Sequence, residues 1–315
     1  MSTELEDLER LPWWRRALPF ALAAALVGYV LSSLDLHAFV HQLGAIDYAG
    51  FLGFTLVIVV ATLVFDAVAT GYIYRAVLGP IRFRELVLLR GASYLPGLVN
   101  HHVGQAWMTY FLSRAYGAQV WRTAGATLLV YATTIAALVL TGALSLVVDP
   151  GRFTWLPAVI AIAVAAGLVY LVVIAARPMF LRRVLTAPLL DVGVAGHLKA
   201  LALRAPHIAI LFLSAWVPLR FFGVDVPLGD ALALVPPLLV LIALPITPQG
   251  VGTRDALAVQ MFARYAVGSP EQQRAAVVAT TLTWVVAMTL MQVAIALVCH
   301  RAAHRLIARG VAPAS

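Results

Sequence analysis

Two polar breaks interrupt an otherwise apolar chain, and between them they hold most of the residues able to do chemistry. The first, within SYLPGLVNHHVGQAWMTYFLSR (residues 93–114), contains Pro96, Gly97, Asn100, His101, His102, Gly104 and Gln105. The second, LPITPQGVGTR (residues 244–254), supplies Gly250, Gly252, Thr253 and Arg254, followed by Asp255. No helix runs smoothly through either stretch, because proline lacks the amide hydrogen and restricts the residue before it, while glycine loosens the backbone. A helix is expected to restart at Gly104–Gln105 and again at Thr253–Arg254–Asp255, with Thr253 as N-cap. Such a start presents free amide hydrogens and the positive end of the helix dipole. With Asn100, His101, His102, Gln105 and Arg254 around two such ends, the chemistry indicated is the binding of an anion such as a phosphate headgroup. The competing reading is structural, with the polar groups satisfying neighbouring backbone.

Asp66 is a further charge set inside an apolar run. As a site or coupling residue it would pair with an arginine such as Arg254 or carry a proton; as a structural residue it would form a buried ion pair with a loop arginine. Arg220, near a helix end, is expected to snorkel to the interface. The pairs His37/His41 and His300/His304 have the i,i+4 spacing of zinc ligands. They lack a carboxylate or cysteine constellation apart from Cys299, so neither a metal nor a cofactor is expected. No nucleophile elbow, phosphate loop or paired-carboxylate motif is present, which argues for a transporter rather than an enzyme.

Whatever these residues do, they do it in a membrane. Of 315 residues, 62% are hydrophobic and 11% charged, with a mean hydropathy of +0.93. Apolar runs long enough to span indicate helices rather than a barrel, whose strands would alternate. The net charge of +8 comes almost wholly from arginine, Lys199 being the sole lysine; it is the arginine load of cytoplasmic loops and not a nucleic-acid footprint. The single cysteine excludes an internal disulfide. No polar stretch is long enough to build a soluble domain.

Full spans are expected over residues 18–34, 51–74, 123–148, 155–176, 205–222 and 272–298, with an interfacial helix over 35–48. Arginines gather in 75–90, 177–204 and the C-terminal tail, which should be cytoplasmic, whereas 35–48, 149–154 and 223–228 should face outward. Parity then makes 85–115 a re-entrant hairpin from the cytoplasmic side and 229–267 one from the outer side. The expected fold is an all-α polytopic membrane protein of about six full transmembrane helices plus two re-entrant helical hairpins. Its halves, 17–148 and 155–299, form an inverted repeat within one membrane domain, and both termini are cytoplasmic. The alternative is about eight full spans.

The two breaks also carry a likeness. LPGLVNHHVGQAWMTYFLSR and PITPQGVGTRDA resemble the paired motifs of the lysylphosphatidylglycerol synthase transmembrane family, the flippase-like membrane half of multiple peptide resistance factor proteins, which also occurs in stand-alone form. The similar span layout covers almost the whole chain. The family often has an acid and then an arginine soon after the first motif's glycine, where this chain has Gln105, Ala106, Trp107 and Met108. Its usual glutamate after the second motif's arginine is Asp255 here. The resemblance implies a bacterial inner-membrane protein that moves an anionic phospholipid, or an aminoacylated or glycosylated lipid, between leaflets. It implies a lipid-modifying synthase or glycosyltransferase as a partner. Aminoacylation is not expected, since the soluble synthase domain is absent. The alternatives are a membrane-embedded transferase acting on polyprenyl or phospholipid substrates, for which only Asp66 and Asp255 could act as acid or base, and an accessory subunit of a lipid-modifying pathway.

Overall fold

A computed structural model describes residues 36–44, 46–98, 101–242 and 252–308. The expected first span over 18–34, together with Asn100 and Gly250, lies outside these residues. Among the described residues the chain is helical, and the only strand-like pairing is an isolated antiparallel bridge between Val224 and Ala266. Numbering from the first described residue, the helices are α1 (Leu36–Gly44), α2 (Tyr48–Leu78), α3 (Phe83–Ala92), α4 (Tyr94–Gly97) and α5 (His101–Ala115). They continue with α6 (Val120–Val148), α7 (Leu156–Ala176), α8 (Ala187–Phe221), α9 (Leu228–Ile242), α10 (Thr253–Phe262) and α11 (Pro270–Ala308). Helices α2, α6, α7, α8 and α11 are long and apolar enough to cross a membrane.

Local chemistry explains where these helices begin and end. The Asp47 side chain accepts the Gly50 amide at 3.1 Å and caps α2. The helix then runs for 31 residues, about 46 Å against a hydrocarbon core of about 30 Å. It stops at Gly79, whose φ of 93° suits glycine, just ahead of Pro80. Arg75 Nε donates to the Ile81 carbonyl at 2.7 Å, and Arg122 Nε donates to the Val77 carbonyl at 3.3 Å. Arg122 thus satisfies a carbonyl of the last turn of α2, and Arg75 one in the connection that follows. Inside the spans, Thr55, Thr70, Thr133, Thr141 and Thr280 each turn the hydroxyl back onto the carbonyl four residues earlier. A polar side chain is thereby carried in an apolar helix without an orphaned donor.

The largest departure from the sequence expectation is α8. Residues 177–204 read as a basic cytoplasmic connection with a span starting at Ala205, yet the helix begins at Ala187 and continues through Pro206. Its early part is kinked at Gly193, where φ is 64° and ψ is 174°. Proline reads as a start signal because it fits the first turn of a helix. At membrane depth a helix tolerates it, since neighbours re-satisfy the freed carbonyl. Lys199 and Arg204 therefore lie on a helix and not in a loop.

The chain divides into two compact units. Among the described residues one comprises 47–98, 101–218, 227–240 and 284–308. Its core joins Ile73 and Tyr74 of α2, Leu86 and Leu89 of α3, Met108 and Leu112 of α5, and Leu129 of α6. Small residues let backbones close up, as in other membrane bundles: a Cβ on Gly125 would run into the Leu185 carbonyl oxygen, and one on Gly91 would meet Cys299 Sγ at 2.6 Å. Ser145 Oγ of α6 donates to the Ala233 carbonyl of α9 at 2.5 Å. Ile135, Val147, Ile162, Val169, Val172 and Val298 point outward, as suits a lipid-facing surface.

Among the described residues the second unit comprises 36–44, 46, 219–226, 241–242 and 252–283. Asp225 donates its amide to the Tyr265 carbonyl at 3.2 Å, next to the Val224–Ala266 bridge. Phe262, Val277 and Val278 are buried in it.

Candidate functional site

The first polar break folds into a helical hairpin. Its first arm is α3 and the short α4, and its second is α5, which packs on both. Glu85 holds the base together: its carboxylate accepts the Arg82 amide at 3.2 Å and the Tyr116 hydroxyl at 2.5 Å. Burial, reinforced by that hydrogen bond, pushes the Tyr116 hydroxyl above the ordinary tyrosine range. Gly104 is not at the start of the second arm but inside α5, which already runs from His101. A Cβ there would meet the Ser93 carbonyl oxygen at 2.8 Å and Gly97 Cα at 3.0 Å. Gly104 is thus the point at which the two arms touch backbone to backbone.

The hairpin delivers Arg90, in the last turn of α3, to Asp66 of α2. Arg90 Nε lies 2.5 Å from Asp66 Oδ2, an ion pair that is out of line for a hydrogen bond. Arg204 of α8 reaches the same carboxylate from another side and donates from Nη1 to Oδ1. Asp66 retains 3% of its accessible surface and Arg204 1%. Arg90 is also buried, with the Tyr94 ring 5.7 Å beneath its guanidinium and Ser93 Oγ at 3.4 Å from Nη1. His207, also buried, follows Arg204 by one turn and lies within electrostatic reach of Asp66, Arg90 and Arg204. Asp66 is 12 residues, about 18 Å, from the end of α2, and Arg204 stands at the middle of α8.

Asp66 forms the buried ion pair with arginines counted among the loops that its structural reading describes; Arg254, the example given for a functional partner, is not among its partners in the described residues. Both arginines were counted with the loops, and both are buried. The positive-inside argument keeps Arg75, Arg82 and Arg84 on one side of the first hairpin, and Arg177, Arg182 and Arg183 ahead of α8. The signal for Arg204 lay in LKALALRAPHIAILF (residues 198–212), where a single guanidinium has apolar residues on both sides.

The other expected site residues fall into separate groups. His101 and His102 are exposed at the head of α5, and Tyr131 of α6 hydrogen-bonds His102 Nδ1 at 2.9 Å. His101 lies within electrostatic reach of Arg90 and Asp66, so the broken stretch does stand beside the ionic cluster. Gln105 is buried, and its Oε1 has no partner among the described residues. Below it, hydroxyls link three helices, Thr109 to Thr127 at 2.7 Å and Thr127 to Tyr74 at 3.0 Å.

In the second unit, the N-cap of α10 is Gly252 and Thr253 is the first helical residue. Gly252 has φ 84°, a conformation in which threonine would be strained. Asp255 takes the capping role from inside the helix, accepting the Gly252 amide on Oδ2 at 2.9 Å. Its Oδ1 accepts from Arg254 Nη2 at 3.0 Å, and the same nitrogen donates to the Thr281 carbonyl at 3.2 Å. Arg254 Nε is buried with no partner among the described residues. Arg254 and Asp255 therefore tie the start of α10 to α11.

The turns of α8 that carry Arg204 also border a crevice of about 460 Å³. Ala137 and Leu144 of α6, Leu201, Ala205 and Phe212 of α8, and Pro236 of α9 line it. Its one hydroxyl, on Thr141, is turned onto the Ala137 carbonyl at 2.7 Å. Among the described residues no group of three histidine, cysteine or carboxylate side chains is placed to hold a metal ion.

Long apolar helices enclosing an ionic cluster define a multi-pass helical membrane protein. Residues 16–296 match the family described as the lysylphosphatidylglycerol synthase TM region, and the chain belongs to that family. Membership links it to lipid modification or transport. Comparisons with curated proteins and with solved structures found no match.

Proposed function

We propose that the protein is a lipid translocator that moves a phospholipid, or an aminoacylated or glycosylated lipid, between the leaflets of a bacterial inner membrane. The observation that carries this reading is the Asp66–Arg90–Arg204 cluster. Charged side chains at membrane depth are costly, and where they occur they mark substrate or ion pathways. A structural lock would be served by one acid and one base; here two guanidiniums converge on one carboxylate from elements far apart in the chain. Arg90 belongs to the polar hairpin, so any movement of that hairpin changes what Asp66 and Arg204 face.

In this reading residues 85–115 form a re-entrant hairpin from the cytoplasmic side. The arms support it: α3 with α4 covers residues 83–97 and α5 has 15 residues, each about 22 Å, short of a hydrocarbon core of about 30 Å. Residues 229–267 form the counterpart from the outer side, the two halves are inverted repeats, and both termini are cytoplasmic. The protein acts on lipid supplied by a lipid-modifying synthase or glycosyltransferase and performs no chemistry itself. Reconstitution into liposomes with lipids labelled on several headgroups tests the function. Transbilayer movement faster than in protein-free vesicles is expected, and identical rates would overturn the proposal.

A further inference from the structure

Where α7 ends, the chain forms a basic and apolar surface that the ionic cluster does not use. Arg177 stands at φ 46°, a left-handed conformation uncommon for a residue with a side chain. It turns the chain out of α7 into Pro178 and a single 3-10 turn, Met179–Leu181. Met179 and Phe180 are 80% and 77% exposed there, and Val184 is exposed as well. Arg177, Arg182 and Arg183 flank them, all exposed. Trp121 and Arg122 are exposed on the first turn of α6. They stand about one turn ahead of Gly125, against which the Leu185 carbonyl and the Pro188 ring pack. Asp191 pairs with Arg182 at 2.6 Å. Among the described residues no carboxylate pairs with Arg122, Arg177 or Arg183.

Helix lengths fix the depth of this surface. α7 has 21 residues, about 31 Å, which matches a hydrocarbon core of about 30 Å. α6 packs against α7 and has 29 residues. The two are joined by the short connection 149–155, so the first turns of α6 stand about 12 Å beyond the end of α7. Residues 177–186 pack on those turns and therefore lie at the level of the headgroups.

We infer that this end of α6 and α7 is a docking surface for the anionic headgroup layer of the bilayer that holds the protein. Met179, Phe180 and Trp121 suit the boundary between headgroups and acyl chains, where an interfacial element buries its apolar side chains. The guanidiniums of Arg122, Arg177 and Arg183 suit a negatively charged leaflet, which attracts basic residues within about a Debye length. The depth favours lipid over a soluble protein as the occupant, since Met179 and Phe180 meet the leaflet there. The surface holds bulk lipid and not cargo, and it uses none of Asp66, Arg90 or Arg204. Arg182 is tied to Asp191, and the Arg177 guanidinium lies against Gly193. Docking thereby sets the level at which the kinked start of α8 meets the leaflet. The inference does not require lipid movement, so either can fail without the other.

A nitroxide spin label at Leu181→Cys, in a Cys299→Ser background of the full-length chain, reads the docking in lipid nanodiscs. Power saturation compares collisions with oxygen, which concentrates among the acyl chains, and with the neutral complex NiEDDA, which stays in water. Nanodiscs of phosphatidylcholine alone are set against nanodiscs of equal parts phosphatidylcholine and phosphatidylglycerol. With phosphatidylglycerol at low salt the label should meet oxygen and be shielded from NiEDDA. The ratio of water-exposed to shielded label should rise at least about fivefold without phosphatidylglycerol. It should rise likewise in about 1 M salt, where the Debye length is about 3 Å. Arg183→Gln should raise it about fivefold in the anionic nanodiscs, the loss of one arginine at a charged surface. Phe180→Ser should raise it in both mixtures. Both side chains are exposed, so both variants are expected to fold; should one not, the lipid and salt comparisons on the labelled chain decide. A label open to NiEDDA in every mixture would overturn the inference and leave the surface to a soluble partner. A label shielded equally with and without phosphatidylglycerol would overturn it too, because the contact would then be apolar alone.

Discussion

Arg204 and Asp66, separated by 138 positions in the chain, meet in a hydrogen-bonded ion pair that excludes solvent almost completely. Arg90 completes the contact from the polar hairpin. The three residues bring α2, α3 and α8 to one point in what the sequence presents as uniform apolar helix.

Unequal costs should follow from the two-to-one charge ratio. Asp66→Asn strands two buried guanidiniums and should cost about 3–5 kcal/mol. Arg204→Gln leaves a one-to-one pair and should cost about 1 kcal/mol. Thermal or denaturant unfolding of both variants in the same detergent checks this. Equal losses would mean that the cluster is balanced by a group other than those described.

Gly104 should tolerate no side chain. The atoms that an added methyl would meet are backbone, the Ser93 oxygen at 2.8 Å and Gly97 Cα at 3.0 Å, so neither can rotate away. Gly104→Ala should cost about 1–3 kcal/mol by forcing the hairpin arms apart. Gly167→Ala in α7, where nothing stands within 4 Å of the new methyl, serves as the neutral comparison. Comparable unfolding temperatures for the two would show that the arms are not in contact.

At the start of α10, removing Arg254 takes from the buried Asp255 its cationic partner and leaves it the Gly252 amide. Arg254→Ala should therefore destabilise the protein by about 3–5 kcal/mol, and the double change Arg254→Ala with Asp255→Ala should cost less than the sum of the two single changes. Strict additivity in that double-mutant cycle would deny the pair any coupling. Lipid movement measured on the same variants separates a structural pair, whose joint removal spares transport, from a headgroup contact, whose loss does not.

Topology has a direct readout. Cysteines replacing Ala118 and Ser269 should react with a membrane-impermeant maleimide from the cytoplasmic and outer sides respectively, in a Cys299→Ser background. The opposite sidedness for both would favour complete crossings over re-entrant hairpins.

Helix positions were largely legible because a span must be apolar over its whole length. The expected 51–74, 123–148 and 155–176 correspond to α2, α6 and α7, with boundaries displaced by a few residues. The break between α4 and α5 was legible from Pro96 and the glycines, which interrupt a regular helix. The role of Gly104 was not, because the atom it touches lies on the opposite arm and its spacing alone cannot separate close packing from an exposed amide. Arg90 and Arg204 were hidden for a different reason. Arginine near the end of an apolar run reads as a loop residue, and only the fold reveals that a helix continues past it toward a carboxylate far away in sequence. Asp66 was legible as a buried charge, and an ion pair with a loop arginine was one reading of it; which arginines these are was not legible.

The central claim is tested most directly by transbilayer movement of headgroup-labelled phosphatidylglycerol in proteoliposomes of the wild type, Arg204→Gln and Arg204→Lys, against protein-free vesicles. The wild type should equilibrate the label between leaflets well above the protein-free rate, Arg204→Gln should fall at least about tenfold toward it, and Arg204→Lys should lie between. Wild-type vesicles indistinguishable from protein-free ones, with the protein folded and inserted, would contradict the claim.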